Sequence, residues 1–285
     1  MNELRQNALH WLAECSVNDK TSGVASLNQA WLAGRIRIDV NAELIASLAI
    51  PGHPAKPELV SPLTVKKRSM RTIEGRAALI HALAHIEFNA INLALDAIWR
   101  FANMPQDYYA DWLKVAAEEA YHFDLLNNHL QTMGYSYGDF TCHSSLWEMA
   151  QRTEADVLGR IALVPRTMEA RGLDASPLLR NKFAQVGDLQ VAEILDIILR
   201  DEIGHVAIGN RWFNWLCEQR GLDSIAAYDS LAKQYSAPKL RKPFNLEARR
   251  KAGFTEAELA LLSSASSLDV THQENSTSNK CEIAM

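Results

Sequence analysis

The chain is poor in cysteine, the residue on which disulfide frameworks and sulfur-ligated metal sites depend. Its 285 residues include four cysteines, and no two of them form a Cys-x-x-Cys pair. Disulfide scaffolds, zinc ribbons and rubredoxin-type iron sites all need closely spaced cysteines. The wide spacing argues against all three classes and favours a protein with reduced thiols. The four residues are Cys15, Cys142, Cys217 and Cys281.

Long apolar runs and an excess of positive charge are also missing. No run approaches the ~20 apolar residues that a membrane span needs. The first residues include acidic side chains and lack an apolar core followed by a cleavage site, so we expect no signal peptide. The formal net charge of −5 argues against general binding to nucleic acid or to an anionic membrane. We therefore expect a cytoplasmic protein without a membrane partner.

Glycine and proline are scarce, and the prolines cluster. Four of the nine prolines lie between Pro51 and Pro62, which excludes a regular helix there. From Arg71 to about Gly221 the sequence is rich in Ala, Leu, Ile and Glu and nearly free of strand signals. The predicted units are 1–71 as an N-terminal extension with short helices and a proline-rich segment, 72–221 as the bundle, 222–262 as a C-terminal extension that packs on it, and 263–285 as a disordered tail.

Four long stretches show the apolar spacing of three and four residues that indicates a helix with one buried face. In the first stretch, Ile80, Ala84 and Ile91 share such a stripe. A helix of ~30 residues is ~45 Å long, so the four stretches predict an all-α four-helix bundle. Gly172 is predicted to end the third helix. The predicted helices cover 72–102, 106–132, 145–171 and 188–220.

Carboxylates and imidazoles interrupt two of these stripes on the core-facing side. The second helix contains EEAYH (118–122), and the fourth contains DEIGH (201–205). Both fit the pattern (Asp/Glu)-Glu-x-x-His. Residues three apart share one face of a helix, so the Glu and His of each motif can reach a single point inside the bundle. One such motif alone is usually a solvated salt-bridge face, whereas two on core stripes favour a metal site.

The other two helices supply the remaining carboxylates. Glu87 lies on the apolar stripe of the first helix, and Glu169 lies on the third. Two Glu-x-x-His pairs with one Glu from each remaining helix form the ligand set of ferritin-like di-iron and di-manganese bundles. Because Pro165 makes the third stripe less regular, Glu154 and Glu148 stay open as alternatives. The predicted metal ligands are Glu87, Glu119, His122, Glu169, Glu202 and His205.

Charge also favours metal in this interior. Four buried glutamates would repel one another, and each would cost several kcal/mol to desolvate as an anion. Cations with oxygen and imidazole ligands remove that penalty. Glu118 precedes His122 by four residues and Asp201 precedes His205 by four, so each carboxylate is close enough to accept a proton from an imidazole nitrogen.

Three further histidines are expected to lie outside the metal site. His81 and His85 point away from Glu87 around the helix axis, so we expect them at a helix interface. His129 shares the stripe of His122 but lies two turns away. We expect it to line a channel or to pack against the N-terminal segment.

Five stretches are long enough to be specific: HALAHIEFNAINLALDAIWRF (81–101), EEAYHFDLL (118–126), MEARGLD (168–174), RDEIGHVAIG (200–209) and KPFNLEARRKAGF (242–254). They resemble an uncharacterised bacterial ferritin-like family, the four-five-five domain of unknown function, over roughly residues 25–258. The resemblance implies a ferritin-like bundle with a binuclear metal site, but no reaction. The bundle is more distantly similar to di-iron tRNA-modifying hydroxylases and rubrerythrins. The missing Cys-x-x-Cys departs from rubrerythrin and argues against a peroxidase with a built-in electron donor.

The leading functional hypothesis is an oxidoreductase with two iron ions, or a manganese/iron pair, that activates dioxygen or peroxide on an unknown small-molecule substrate. No flavin or nicotinamide fingerprint is present, so electrons would come from a separate donor. One alternative is a ferroxidase or a peroxide-detoxifying protein, and another is a non-catalytic helical scaffold. The oligomeric state stays open.

A further alternative is a tRNA-modifying hydroxylase, since basic residues cluster at 66–76 and 239–251. Apolar residues, including Leu63 and Leu246, also occur near these basic clusters. We expect these apolar residues to pack on the bundle. The basic residues, Arg249 and Arg250 included, would then pair with bundle carboxylates or present a positive rim.

Overall fold

The computed structural model describes residues 2–66 and 68–264, and the regular structure in these ranges is helical. This confirms the all-α prediction. A last helical stretch covers 256–264, while most of the predicted disordered tail lies outside the described residues. The elements are α1 (Leu4–Ala13), α2 (Val17–Leu32), α3 (Ile73–Arg100), α4 (Gln106–Thr132), α5 (Ser145–Arg152), α6 (Val157–Leu163), a π-helix (Val164–Glu169), α7 (Ala170–Gln185), α8 (Leu189–Gln219), α9 (Ser224–Gln234) and α10 (Leu246–Lys251).

Four helical columns form the bundle. They are α3, α4, α8 and the column in which α6, the π-helix and α7 follow one another. Helix α3 packs along α4, α7 packs along α8, and α4 contacts α8. The N-terminal helices cover the outside of the first pair, because α1 packs on α3 and α2 packs on α4. One apolar core runs through these helices. Polar side chains inside this core are exceptions and mark a candidate site.

Three of the four long helices begin and end close to their predicted limits. The side chain of Thr72 accepts a hydrogen bond from the N–H of Gly75 at 3.0 Å and caps α3. Gly134 and Gly221 follow α4 and α8 with φ angles of 81° and 61°. Glycine adopts this left-handed conformation without the penalty that other residues meet, which ends each helix.

The third predicted helix is wrong as one segment that ends at Gly172. The chain breaks at 153–156, where the side chain of Asp156 accepts hydrogen bonds from the N–H groups of Leu158 and Gly159 and starts α6. The column then passes through Gly172 and continues to Gln185. A glycine inside a helix costs only ~1 kcal/mol relative to alanine, so it does not have to end one.

Pro165 accounts for the π-helix in this column. Proline has no N–H and cannot donate to the carbonyl four residues earlier. The chain widens instead, and the N–H of Ala170 donates to the carbonyl of Pro165. The hydroxyl of Thr167 donates to the carbonyl of Ala162 at 2.8 Å. The wider turn changes the direction of the residues that follow it, and Glu169 is the last residue of that turn.

Among the described residues, α3 is long and apolar enough to cross a membrane by length and composition. However, 72% of its most apolar window is buried inside the protein. The core helix of a soluble protein passes the same test, so this result is weak evidence for a membrane span.

The close approach of the π-helix to α8 requires a glycine at position 209. An ideal Cβ on Gly209 would lie 2.7 Å from Cβ and 2.9 Å from Cγ of Pro165. We expect Gly209→Ala to lower the free energy of unfolding by about 1–3 kcal/mol, measured by urea denaturation. Gly204→Ala on the same helix is the control, because a Cβ there meets no described atom within 4 Å outside its own turn. Equal effects of the two substitutions would contradict the close-approach argument.

Candidate metal centre

Carboxylate and imidazole side chains from three columns converge inside the bundle. Four of the predicted ligands each offer one ligand atom, and these atoms all lie within 4.8 Å of one another: Glu87, Glu119, His122 and Glu202. His205 adjoins this group, since its Nδ1 lies 3.0 Å from Oε1 of Glu119. None of these five residues is more than 8% exposed. The cluster is therefore screened from bulk water.

Glu169 is the carboxylate that the third column contributes. Although part of the residue is exposed, its Oε2 atom is buried. Burial and the nearby carboxylates of Glu202 and Glu119 raise its pKa well above the usual range. The alternatives do not reach this place, because Glu154 and Glu148 are both exposed. The structure thus brings all six predicted ligands to one region.

Each imidazole lies between the cluster and a carboxylate outside it. His122 directs Nδ1 inward, 3.3 Å from Oε2 of Glu87, and its Nε2 lies 3.2 Å from Oδ2 of Asp201. The arrangement repeats at His205, whose Nε2 lies 2.9 Å from Oε2 of Glu118. When a cation replaces the proton on Nδ1, a carboxylate that accepts the Nε2–H bond keeps the imidazole in the form whose Nδ1 lone pair faces the cluster. Both imidazoles are thereby oriented as ligands.

The outer carboxylates bind the imidazoles across helices rather than within one helix. Asp201 on α8 contacts His122 on α4, and Glu118 on α4 contacts His205 on α8. The contacts run in opposite order along the two helices, so α4 and α8 are antiparallel. The sequence spacing of four indicated the correct type of contact but not this crossed pairing.

Without a cation, the charges of the cluster must be balanced by protons. Burial, reinforced by Glu119, raises the pKa of Glu87 to about 8. Burial lowers the pKa of His122, but hydrogen bonds to Glu119 and Glu87 outweigh it and raise this pKa to about 11. Opposite effects of burial and neighbouring imidazoles leave the pKa of Glu119 below its usual value. The cluster is therefore suited to bind a positively charged ion.

Orphaned atoms test whether a metal ion fits this arrangement. Oε2 of Glu169 is buried and has no hydrogen-bond partner among the described residues, while the buried Oε1 of Glu119 and Nδ1 of His205 lie 3.0 Å apart without hydrogen-bond geometry. A buried polar atom without a partner costs about 1–3 kcal/mol. Coordination to a cation would satisfy all three. Carboxylate oxygen and imidazole nitrogen suit first-row transition metals, so the residues present fit a metal ion.

The other histidines lie outside the cluster, as expected. Nδ1 of His85 lies 2.7 Å from the hydroxyl of Tyr137, and Nε2 of His81 accepts a hydrogen bond from a backbone N–H at 2.8 Å. His129 contacts Asp188 and lines a cavity of about 310 Å³ between α4 and α8. This cavity is open to solvent and is not itself a channel, so the expectation that His129 lines a channel stays a prediction.

Residues of both basic segments contact carboxylates, among them Arg68, Arg249, Arg250 and Lys251. Arg249 is buried, and its Nη2 lies 2.6 Å from Oδ2 of Asp174 on α7. Arg250 is exposed and pairs with Glu256 in its own segment, so the two arginines are not equivalent. The expectation that the flanking apolar residues pack on the bundle is wrong for Leu63, which is 96% exposed. Lys67 of the first cluster lies outside the described residues.

The comparisons with known proteins agree with the sequence resemblance. A family model described as "Protein of unknown function (DUF455)" matches residues 13–260. The chain belongs to the DUF455 family. The matched range contains every residue of the cluster and of the crossed contacts.

A DUF455 relative from Haemophilus influenzae, described as an uncharacterized protein, is 51% identical over 231 residues. The alignment covers 79% of this chain and 80% of the relative. No solved structure gives a significant match. Neither description states an activity, so the functional argument rests on the site.

Proposed function

We propose that this protein is a ferritin-like binuclear metal protein, with two iron ions or a manganese/iron pair. In this proposal it is an oxidoreductase that activates dioxygen or peroxide on a small-molecule substrate, with electrons from a separate donor. The observation that carries the proposal is a buried cluster of carboxylates and imidazoles in which three inward-facing ligand atoms make no well-formed hydrogen bond.

Two overlapping groups of side chains support a pair of ions rather than one. The first group contains Glu87 and His122, and the second contains Glu169 and His205. Glu119 lies between these groups because it contacts both imidazoles. Glu202 also lies between them, since it is 3.5 Å from His205 and offers a ligand atom within 4.8 Å of those of Glu87 and His122. Four glutamates in one interior supply four negative charges, which two divalent cations balance.

The chain's own residues have three roles in this proposal. When bound, the metal ions would supply the redox and Lewis-acid chemistry that the reaction needs. Asp201 and Glu118 hold the two imidazoles in the Nε2–H form and fix the direction of each Nδ1. The apolar helices around the cluster exclude water, which strengthens the electrostatic interactions inside.

RNA is not part of this proposal, although basic residues flank the bundle. In the second basic cluster, Arg249, Arg250 and Lys251 each contact a carboxylate. Paired cations have less charge to offer a phosphate backbone.

Elemental analysis combined with optical spectroscopy tests the proposal. We expect about two iron or manganese ions per chain in the purified full-length protein. We also expect the reduced, iron-loaded protein to gain a ligand-to-metal absorption band when it is exposed to dioxygen or peroxide. Zinc alone at full occupancy, or an iron-loaded protein whose spectrum dioxygen and peroxide leave unchanged, would refute the oxidoreductase proposal.

A further inference from the structure

Arg166 is a buried cation that the metal cluster does not use. It lies in the π-helix, three residues before Glu169, and is 3% exposed. Its guanidinium carbon lies 4.2 Å from the ring centre of Phe213 on α8. The rings of Tyr228 on α9 and Phe254 on the C-terminal segment are each 5.2 Å away. Three separate elements therefore enclose this one side chain.

The polar contacts of Arg166 lead to the same C-terminal segment. Its Nε donates to Oδ1 of Asn210 on α8, and its Nη2 donates to Oε1 of Glu258. The other carboxylate oxygen of Glu258 accepts the N–H of Thr255 at 2.8 Å. Asn210 in turn donates to the carbonyl of Ala252 at 2.6 Å. One hydrogen-bonded network thus joins the π-helix, α8 and residues 252–258.

A second buried arginine makes the reverse contact. Arg249 reaches from the C-terminal segment to the junction between the π-helix and α7, where its Nη2 donates to the carbonyl of Ala170 at 3.2 Å. The same group lies 2.6 Å from Asp174. Ala170 directly follows Glu169, so the turn that carries Glu169 is held on both sides.

The turn needs such support for a physical reason. A π-turn lacks the regular ladder of hydrogen bonds four residues apart. The buried Oε2 of Glu169 also has no hydrogen-bond partner among the described residues, so no contact within the cluster holds this side chain before a cation is bound. Contacts from outside the column must therefore keep Glu169 directed at the cluster. Arg166 and Arg249 both make buried contacts of this kind, and Arg166 is the one of the two that lies in the turn itself.

We propose that Arg166 is a positioning residue for Glu169, and that Glu258 on the C-terminal segment holds Arg166 in that role. The proposal rests on the proposed metal site, because it assigns Glu169 to the second of the two ions. It predicts that contacts at residues 249–258 influence metal binding inside the bundle, although none of these residues is a ligand.

Manganese(II) titration of the metal-free full-length chain tests this role. Arg166→Met keeps an apolar side chain against Phe213 but removes both hydrogen bonds. We expect the first ion to bind as in the wild type and the second to bind about 10- to 100-fold more weakly, as measured by electron paramagnetic resonance of free and coupled manganese. Arg166→Lys should restore part of this loss, because it keeps the charge beside Glu258. Arg180→Met on α7 removes an exposed ion pair with Asp196 on α8. It is the matched control and should bind both ions normally.

Hydrogen exchange separates this proposal from the metal proposal. In metal-free protein, Arg166→Met should speed amide exchange at residues 163–171 and leave 73–100 unchanged. If Arg166→Met does not fold, Glu258→Gln at a less buried position should give the same local increase. Wild-type second-ion affinity in the folded variants, or unchanged exchange at 163–171, would overturn the role of Arg166. If the wild type binds neither manganese(II) nor iron(II), the metal proposal fails, and the exchange result still decides whether Arg166 holds the turn.

Discussion

The double variant Glu119→Ala/His122→Ala is expected to bind at most one of the two metal ions. Glu119 contacts both imidazoles, and His122 provides one of the two inward nitrogen atoms. Their removal leaves each ion with fewer ligands and leaves Glu87 without its imidazole partner. Elemental analysis of the purified variant, expressed with supplemented iron and manganese, measures the loss.

A matched double variant controls for the loss of one acidic and one histidine side chain. His143 and Glu148 are both exposed and lie away from the cluster, so His143→Ala/Glu148→Ala should keep two ions per chain. Full metal occupancy in Glu119→Ala/His122→Ala would show that the ions bind elsewhere.

Removal of the metal is expected to lower the melting temperature by roughly 10 °C. This decrease in melting temperature should become larger as the pH rises from about 5 to 9. A ligand at 1,000 times its dissociation constant stabilises by about 4 kcal/mol. For a domain of 150–250 residues, each kcal/mol corresponds to roughly 2–4 °C. Melting curves with and without a chelator, at matched ionic strength, measure both effects.

The sign of the pH dependence follows from two raised pKa values. Folding raises the pKa of Glu87 from 4.5 to about 8 and that of His122 from 6.5 to about 11. Protons on these groups therefore stabilise the metal-free protein at low pH. This stability is fully present below pH 4.5 for Glu87 and below pH 6.5 for His122. It is lost as the pH rises through the folded values.

The metal-bound protein is not expected to lose stability in this way. Its ligands are already deprotonated, so the difference between the two forms widens with pH. In the variant Glu119→Ala/His122→Ala the chelator effect and its pH dependence should both shrink. A chelator effect of constant size between pH 5 and 9 would contradict the assignment of Glu87 and His122 to the metal site.

Periodicity and end signals predicted much of the fold. The limits of α3, α4 and α8 follow from apolar spacing together with residues such as Thr72, Gly134 and Gly221. The same spacing predicted that Glu119 and Glu202 lie on core-facing stripes. Residues on such a stripe contact the neighbouring helices inside the bundle. These are local properties of one helix, which the sequence contains in full.

The features that escaped prediction depend on contacts between distant parts of the chain. Gly172 carries the usual signal for a helix end, but packing of α7 along α8 keeps the column helical to Gln185. Pro165 indicated an irregular column without specifying a π-turn. The burial of Arg166 depends on Phe254 and Glu258, which lie about ninety residues away in sequence, so no local sequence pattern predicts it.

The crossed contacts between α4 and α8 make the two motifs mutually dependent. Each five-residue motif contains a Glu and a His that we propose as metal ligands, together with the carboxylate that contacts the imidazole of the other motif. A single motif transplanted into an unrelated helix would therefore bring its Glu and His, but it would lack the carboxylate that sets the tautomer of its imidazole. An engineer who wishes to copy this site must copy both antiparallel helices in register, because the smallest transferable unit is the pair.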